Sequence, residues 1–291
     1  MNLIKHRKIW YIVSLAVTIP GAIALVLWGL KLSIDFTGGT LIELEGIKDK
    51  GAVLEMISNA KIEDATLTET EKGVLIRAKL IDENIHKSFK LELDKKEGAK
   101  EVRLETVGPS VSKQITRNAF ISIGLASLLI VFYVAYSFRK VPKPASSWEF
   151  GIAAIIALLH DVLVVTGVFA VLGRFLQVEI DILFVTAMLT VIGFSVHDTI
   201  VIFDRIRENL VKNPSEDFEE TVSRSVTEML PRTLSTSFLI WIILVVLFLF
   251  GGETTKYFVL ALLIGIFSGT YSSILNASPL LVTWQNFKNR K

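Results

Sequence analysis

Asp198 stands inside an apolar span, in the stretch VIGFSVHDTIVIFDRIREN from Val191 to Asn209. A carboxylate at such a place costs roughly 2.5 to 3.5 kcal/mol on insertion scales, so it marks a functional position by default. Three other polar positions belong with it: His197 beside it, Asp161 with His160 beside it one span earlier, and Arg232 at the start of the following span. Asp198 lies 18 residues after Ile180, and Arg232 lies 18 residues before Phe250. At about 1.5 Å per residue each is roughly 27 Å from the outer boundary, so two antiparallel spans would bring them to similar depth as an ion pair. Asp161, 12 residues before Gly173, sits nearer mid-membrane, roughly 18 Å from the outer face.

Ionisable groups at stepped depths on neighbouring spans suit a proton relay, with a permanently charged Arg tuning the carboxylates without titrating itself. The residues alone equally allow a fixed structural ion pair between Asp198 and Arg232, and a polar Asp161 bonded across helices. Other chemistries fit less well. His160-Asp161 and His197-Asp198 do not make a metal site, because adjacent helical side chains diverge by about 100° and no HExxH spacing occurs. An intramembrane aspartyl-protease pair of Asp161 and Asp198 conflicts with their different depths. Asp35-Phe36-Thr37-Gly38-Gly39-Thr40 reads as a tight turn, since two glycines allow positive φ; it is no phosphate loop, because no helix opening with Lys-Ser or Lys-Thr follows. Asp204, Arg205 and Arg207 lie at the membrane interface, as snorkelling, topology-setting charges. No catalytic residue, resident cofactor or metal is expected.

The elements that must position these groups are membrane spans. The 291 residues are 51% hydrophobic, with a mean hydropathy of +0.53, which excludes an ordinary soluble domain. Apolar runs near the ~20 residues needed to cross a bilayer occur at Ile9 to Leu30, Ala119 to Phe138, Phe150 to Leu172, Ile180 to Phe203, Leu234 to Phe250 and Tyr257 to Trp284. The first follows Lys5, Arg7 and Lys8 like a signal peptide, but it is too long and lacks a small-residue cleavage site, so it reads as a retained span. With the N-terminus inside, the inner segments hold Lys5, Arg7, Lys8, Arg139, Lys140, Lys143, Arg205, Arg207, Lys212, Arg224, Arg232, Lys288, Arg290 and Lys291, against Arg174 and Lys256 in the short outer loops. That asymmetry predicts both termini in the cytoplasm. Trp10, Trp28, Trp148 and Trp284 fall near span ends, as interfacial aromatics do.

Three regions follow: residues 1–30 as tail and first span, 31–116 as an external domain, and 117–291 as a five-span bundle. In the external domain TLIELEG alternates as a half-buried strand, while Ala52, Val53, Met56, Ile57 and Ala60 recur at helical spacing. Ala65 to Thr70 and Gly73 to Ala78 read as a hairpin across Glu71-Lys72-Gly73. Glu83 to Leu93 reads as a helix and Glu101 to Val107 as a closing strand, giving the order of a ferredoxin-like α+β sandwich. Without cysteine, this domain must be stable by its own core. The inner loop, about 205–231, carries Val211, Phe218, Val222 and Val226 at roughly helical spacing. It is expected to be an amphipathic helix on the membrane surface, begun at Pro214, with Pro231 opening the next span.

DFTGGT after the first span, SVHDTIVIFDRIREN in the fourth and PRT opening the fifth together resemble the SecF family of the bacterial and archaeal protein-export machinery. The resemblance covers nearly the whole chain. SecD is similar, but its external region is larger and its first motif usually reads DLxGG. The resemblance implies a six-span subunit of the resistance-nodulation-division superfamily, in the cell membrane. Its implied partners are SecD, the SecYEG channel and YajC, with the emerging preprotein as substrate and no nucleic acid. It also implies use of the proton-motive force, with Asp198 and Arg232 matching the family's proton-pathway residues and DFTGGT acting as an external hinge. His197 stands where many members have Asn, so H+ is the expected coupling ion and Na+ the alternative. A proton-coupled small-molecule or lipid exporter of the same superfamily, and a purely structural assembly subunit, are the competing functions; such exporters usually carry two six-span halves in one chain.

Overall fold

The alternation of TLIELEG places one row of apolar side chains on one face of a strand, and that strand becomes a central strand of a four-stranded sheet. The computed structural model describes residues 3–69, 72–139 and 141–289, apart from the side chain of Glu253. Part of the expected hairpin turn (Thr70 and Glu71) and the inner charges Lys140, Arg290 and Lys291 lie outside the described residues. In chain order the elements are α1 (Arg7–Trp28), α2 (Ile34–Thr37), β1 (Gly39–Glu45), α3 (Lys50–Asn59), β2 (Thr66–Glu69), β3 (Gly73–Ala78), α4 (Glu83–Leu93) and β4 (Lys100–Val107). The long helices follow: α5 (Pro109–Ser137), α6 (Ser147–Phe175), α7 (Ile182–Lys212), α8 (Phe218–Phe250), α9 (Lys256–Ser272) and α10 (Ser278–Lys288).

The chain divides into two compact units. One holds Lys31–Phe120 together with Glu179–Ile182. Its sheet has the order β2-β3-β1-β4 with every neighbouring pair antiparallel, which is the ferredoxin-like arrangement expected from the element order. Ile42 pairs with Ile76 and Leu44 with Val74, and all four are fully buried. They pack with Val53 and Met56 of α3 and Phe89 and Leu93 of α4 in one apolar cluster. The sequence reading ended this domain at 116; the structure extends it to Phe120 and adds the remote segment Glu179–Ile182.

The other unit holds the chain through Leu30, Ile121–Val178 and everything from Leu183 onward. Among the described residues six helical stretches are long and apolar enough to cross a membrane, as the hydropathy pattern predicts. Helix α6 starts at a capping box in which Ser146 and Glu149 satisfy each other's backbone N–H. Helices α1 and α6 meet at glycines: a Cβ on Gly167 would lie 2.5 Å from Gly21 Cα. Phe138, Phe150 and Phe203 pack at centroid distances of 4.9–5.7 Å.

Two expectations need correction. No separate surface helix fills residues 205–231. Helix α7 continues to Lys212, and α8 begins at Phe218, capped by Asp217 through the N–H groups of Glu219 and Glu220. Phe218, Val222 and Val226 are buried in the helical core, whereas Val211 is 65% exposed. Pro231 lies inside α8 rather than opening a span; a proline is tolerated within a membrane helix where neighbours satisfy the freed carbonyl. The sixth span, Lys256–Lys288, carries one local irregularity. A wide turn, Ser273–Ala277, joins α9 to α10, and Pro279 just after it cannot donate the backbone bond that a regular helix needs.

Candidate functional site

Asp198 is 4% exposed on α7 and accepts hydrogen bonds on one oxygen. Thr270 Oγ1 of α9 donates to Oδ2 at 3.3 Å and Ser237 Oγ of α8 at 3.5 Å. Thr270 Oγ1 and Ser237 Oγ also lie within hydrogen-bond distance of each other, at 2.8 Å. An apolar cleft of about 590 Å³, bounded by Trp10, Trp241 and Phe267, reaches these two hydroxyls. Two long bonds to a single oxygen leave a carboxylate with unused acceptor capacity.

Asp161 differs in kind. It is fully buried on α6 and is ringed by donors: Ser195 of α7 at 2.5 Å, Ser268 and Ser272 of α9 at 2.7 Å each, and His160 Nδ1 at 3.0 Å. These bonds fill both oxygens and join three helices at one point. Gly269 makes the convergence possible, since a Cβ there would meet Ser195 Cα and Cβ at 3.1 Å and Asp161 Oδ2 at 3.6 Å. One further hydroxyl link, Thr199 to Ser273 at 2.8 Å, sits beside this cluster.

Asp198 and Arg232 do not pair. No ion pair within 4.0 Å joins them, and Arg232 is exposed. Asp198 lies level with Ser237, five positions beyond Arg232 on α8, which is about 7.5 Å along the axis and 140° around it. Equal residue counts from hydropathy-defined span ends did not mark equal depths. Arg232 instead lines a cleft of about 640 Å³ with Tyr133, Tyr136, Asp204, Arg205 and Arg207. There Asp204 pairs with Arg207, and Arg205 pairs with Glu208 and Glu228 at 2.6 Å each. His197, one position around the helix from Asp198, is exposed.

The DFTGGT residues are built into the sheet unit. Ser33 caps the single-turn α2, Asp35 Oδ2 accepts from Ile182 N at 3.0 Å, and Phe36 O accepts from Thr116 at 3.4 Å. Gly38 and Gly39 have φ of 74° and 125°, and a Cβ on Gly39 would come within 2.5 Å of Ala78 O, so β1 can start beside β3 only with glycine there. Thr40 is buried, accepts from Ile81 N at 3.1 Å and bonds Thr106 at 3.2 Å. Sequence reasoning missed Ser195, Ser237, Ser268, Thr270 and Ser272; the polar run SGTYSS, 268–273, inside an apolar span was the available signal. Among the described residues no group of three or more His, Cys, Asp or Glu is placed to hold a metal.

Two family profiles match the chain: "Protein export membrane protein SecD/SecF, C-terminal" over residues 88–287 and "SecD/SecF GG Motif" over residues 25–45. The protein translocase subunit SecF of Thermobaculum terrenum is 46% identical over 98% of this chain and 94% of its own length. The subunit of that name from Anaerolinea thermophila is 36% identical over the same shares. The crystal structure of SecDF from Thermus thermophilus, titled a translocon-associated membrane protein, superposes with a TM-score of 0.85 at 30% identity, covering 98% of this chain. A second SecDF structure, in a super-membrane-facing form, gives 0.72. This chain spans only 39% of the length of those solved chains. With a profile over most of its length and close relatives of one kind end to end, the chain is an integral membrane protein that belongs to the SecF protein translocase subunits of the SecD/SecF family.

Proposed function

We propose that the chain works as the SecF half of a SecD–SecF pair, beside the SecYEG channel and YajC, with both termini in the cytoplasm. In this reading it uses the proton-motive force to draw or release preprotein on the outer side. Asp198 takes up and releases the proton, and the proton leaves past Arg232 and the inner cleft. The observation that carries the assignment is the contrast between the two buried carboxylates: Asp161 is saturated by four donors, whereas Asp198 receives two long bonds on one oxygen. Protonation turns an Asp198 oxygen from acceptor to donor, so Ser237 and Thr270 must reorient, and α7, α8 and α9 have a reason to adopt two packings. One proton crossing ~100 mV supplies about 2.3 kcal/mol, enough to invert an equilibrium biased by about half that amount. Asp161 then serves as the fixed acceptor that holds α6, α7 and α9 in register while Asp198 titrates.

Membrane vesicles carrying Asp198→Asn, with the SecD complex intact, are expected to lose the proton-motive-force-dependent part of preprotein export and to keep the part that does not depend on it. Full dependence in that variant would rule the relay out. Imposing a Na+ gradient in place of the H+ gradient tests the ion: export is expected to respond to H+ alone.

A further inference from the structure

Residues 179–182, which lead into α7 and open it, belong with the sheet unit and are tied to it by named contacts. Ile180 N donates to Lys31 O at 2.8 Å and Ser33 N donates to Ile180 O at 2.9 Å, making a parallel bridge of Leu32 with Ile180. Glu179 Oε1 receives Arg77 Nη1 at 3.0 Å and Lys31 Nζ at 3.3 Å. Arg77, from β3, spends its other nitrogen on Leu32 O and Thr37 Oγ1, both at 2.8 Å. Asp35 accepts from Ile182 N, the first residue of α7, at 3.0 Å, where a carboxylate favours a helix N-terminus. The side chains of Glu179, Arg77 and Lys31 are 19%, 23% and 29% exposed, so the hub is partly shielded from water and worth more than a surface pair.

The geometry points to Glu179 and Arg77, with the Asp35 cap, as positioning residues that clamp the first turn of the Asp198 helix to the external sheet. A helix is stiff along its axis, so a shift of α7 that starts at Asp198 is delivered at Ile182, and the clamp passes it to β3 and to the DFTGGT segment. The clamp stays closed through the cycle. This inference rests on the proton reading above and adds the part that carries motion outward. The short backbone bridge alone, two hydrogen bonds, is a weak tie without the guanidinium hub.

The chain has no cysteine, which allows a reversible test in vesicles with the SecD complex. Losing a charge-assisted hub is expected to cut proton-motive-force-dependent export roughly tenfold in Glu179→Ala. Adding Leu32→Cys and Ile180→Cys to that variant and oxidising the pair replaces the hub by a covalent tie. Bridged strand residues lie within disulfide reach, and export is expected to recover to within about twofold, then fall again on reduction. Recovery also shows that the variant was folded. Retention of full dependence by Glu179→Ala overturns the clamp, and so does an oxidised pair that forms without restoring export. Asp198→Asn run in parallel separates the layers: its failure to lose dependence condemns the proton reading, whereas its loss together with an unaffected Glu179→Ala condemns the clamp alone.

Discussion

Two aspartates sit in the same apolar bundle with different sets of donors, and that contrast predicts different responses to the same substitution. Asp161 accepts from Ser195, Ser268, Ser272 and His160, so Asp161→Asn turns half of that acceptor into an amide that meets donors with donors. Each buried hydroxyl left without an acceptor costs about 1–3 kcal/mol. Asp198→Asn disturbs only bonds of 3.3 and 3.5 Å and should cost under about 1 kcal/mol. The expected outcome is a clear drop in the thermal midpoint of detergent-solubilised protein for Asp161→Asn and a small one for Asp198→Asn, while export shows its specific defect in the latter. Equal midpoints would show that the serine ring does not bear on stability. Both aspartates were legible in the sequence because a charge in an apolar run is conspicuous. Their partners were not, because serine and threonine are common in membrane helices and one chain carries no sign of which hydroxyls face inward. Asp198 and Arg232 were placed as a pair because depth was counted from span ends that hydropathy locates only loosely.

At the scale of elements, the packing that brings α7 and α9 close enough for hydroxyls to reach across depends on glycine. A Cβ on Gly265 would lie 2.1 Å from Val191 Cγ2 and 2.9 Å from Val191 Cβ, and a valine in a helix has one favoured rotamer with which to yield. On Gly167 the obstacle is the Gly21 backbone at 2.5 Å, which cannot yield without moving α1. On Gly124 nothing lies within 4 Å. Alanine at these three positions should therefore order as Gly167 worst, Gly265 next at about 1–3 kcal/mol, and Gly124 without loss, read from thermal midpoints of the purified variants. A different order would mean that the helices are not held by these contacts. The pattern Gly265-x-x-x-Gly269 is present in the sequence, but small residues at that spacing also occur on faces that pack against nothing, so the contact had to be seen. The external strands and helices were easier to read, because two-residue and 3.6-residue periods switch cleanly there and the turns carry Gly or Asp. Near 205–231 the amphipathic pattern was real, but its apolar face packs into the bundle rather than lying on a lipid surface. A buried helix extension and a surface helix share that periodicity.

For the whole molecule the distribution of lysine and arginine predicts the side on which each unit works. Fourteen fall in segments expected inside and two in short segments expected outside. Basic residues flanking spans resist translocation, so this bias is a better predictor of orientation than net charge, which is only +2. In the proposed orientation the sheet unit faces outward, toward the proposed preprotein substrate, and the cleft with Arg232 faces the cytoplasm, the low-potential side to which protons would run. Single cysteines make this testable without a background, because the chain has none. Asp94→Cys is at an exposed helix end of the sheet unit, and Asn213→Cys is exposed in the short link between α7 and α8. A membrane-impermeant maleimide should label the first and not the second in intact cells with a permeable outer envelope, and the second and not the first in inverted vesicles. Labelling of both from one side would break the six-span count, and exchange of the two patterns would invert the orientation and, with it, the direction proposed for proton transfer at Asp198.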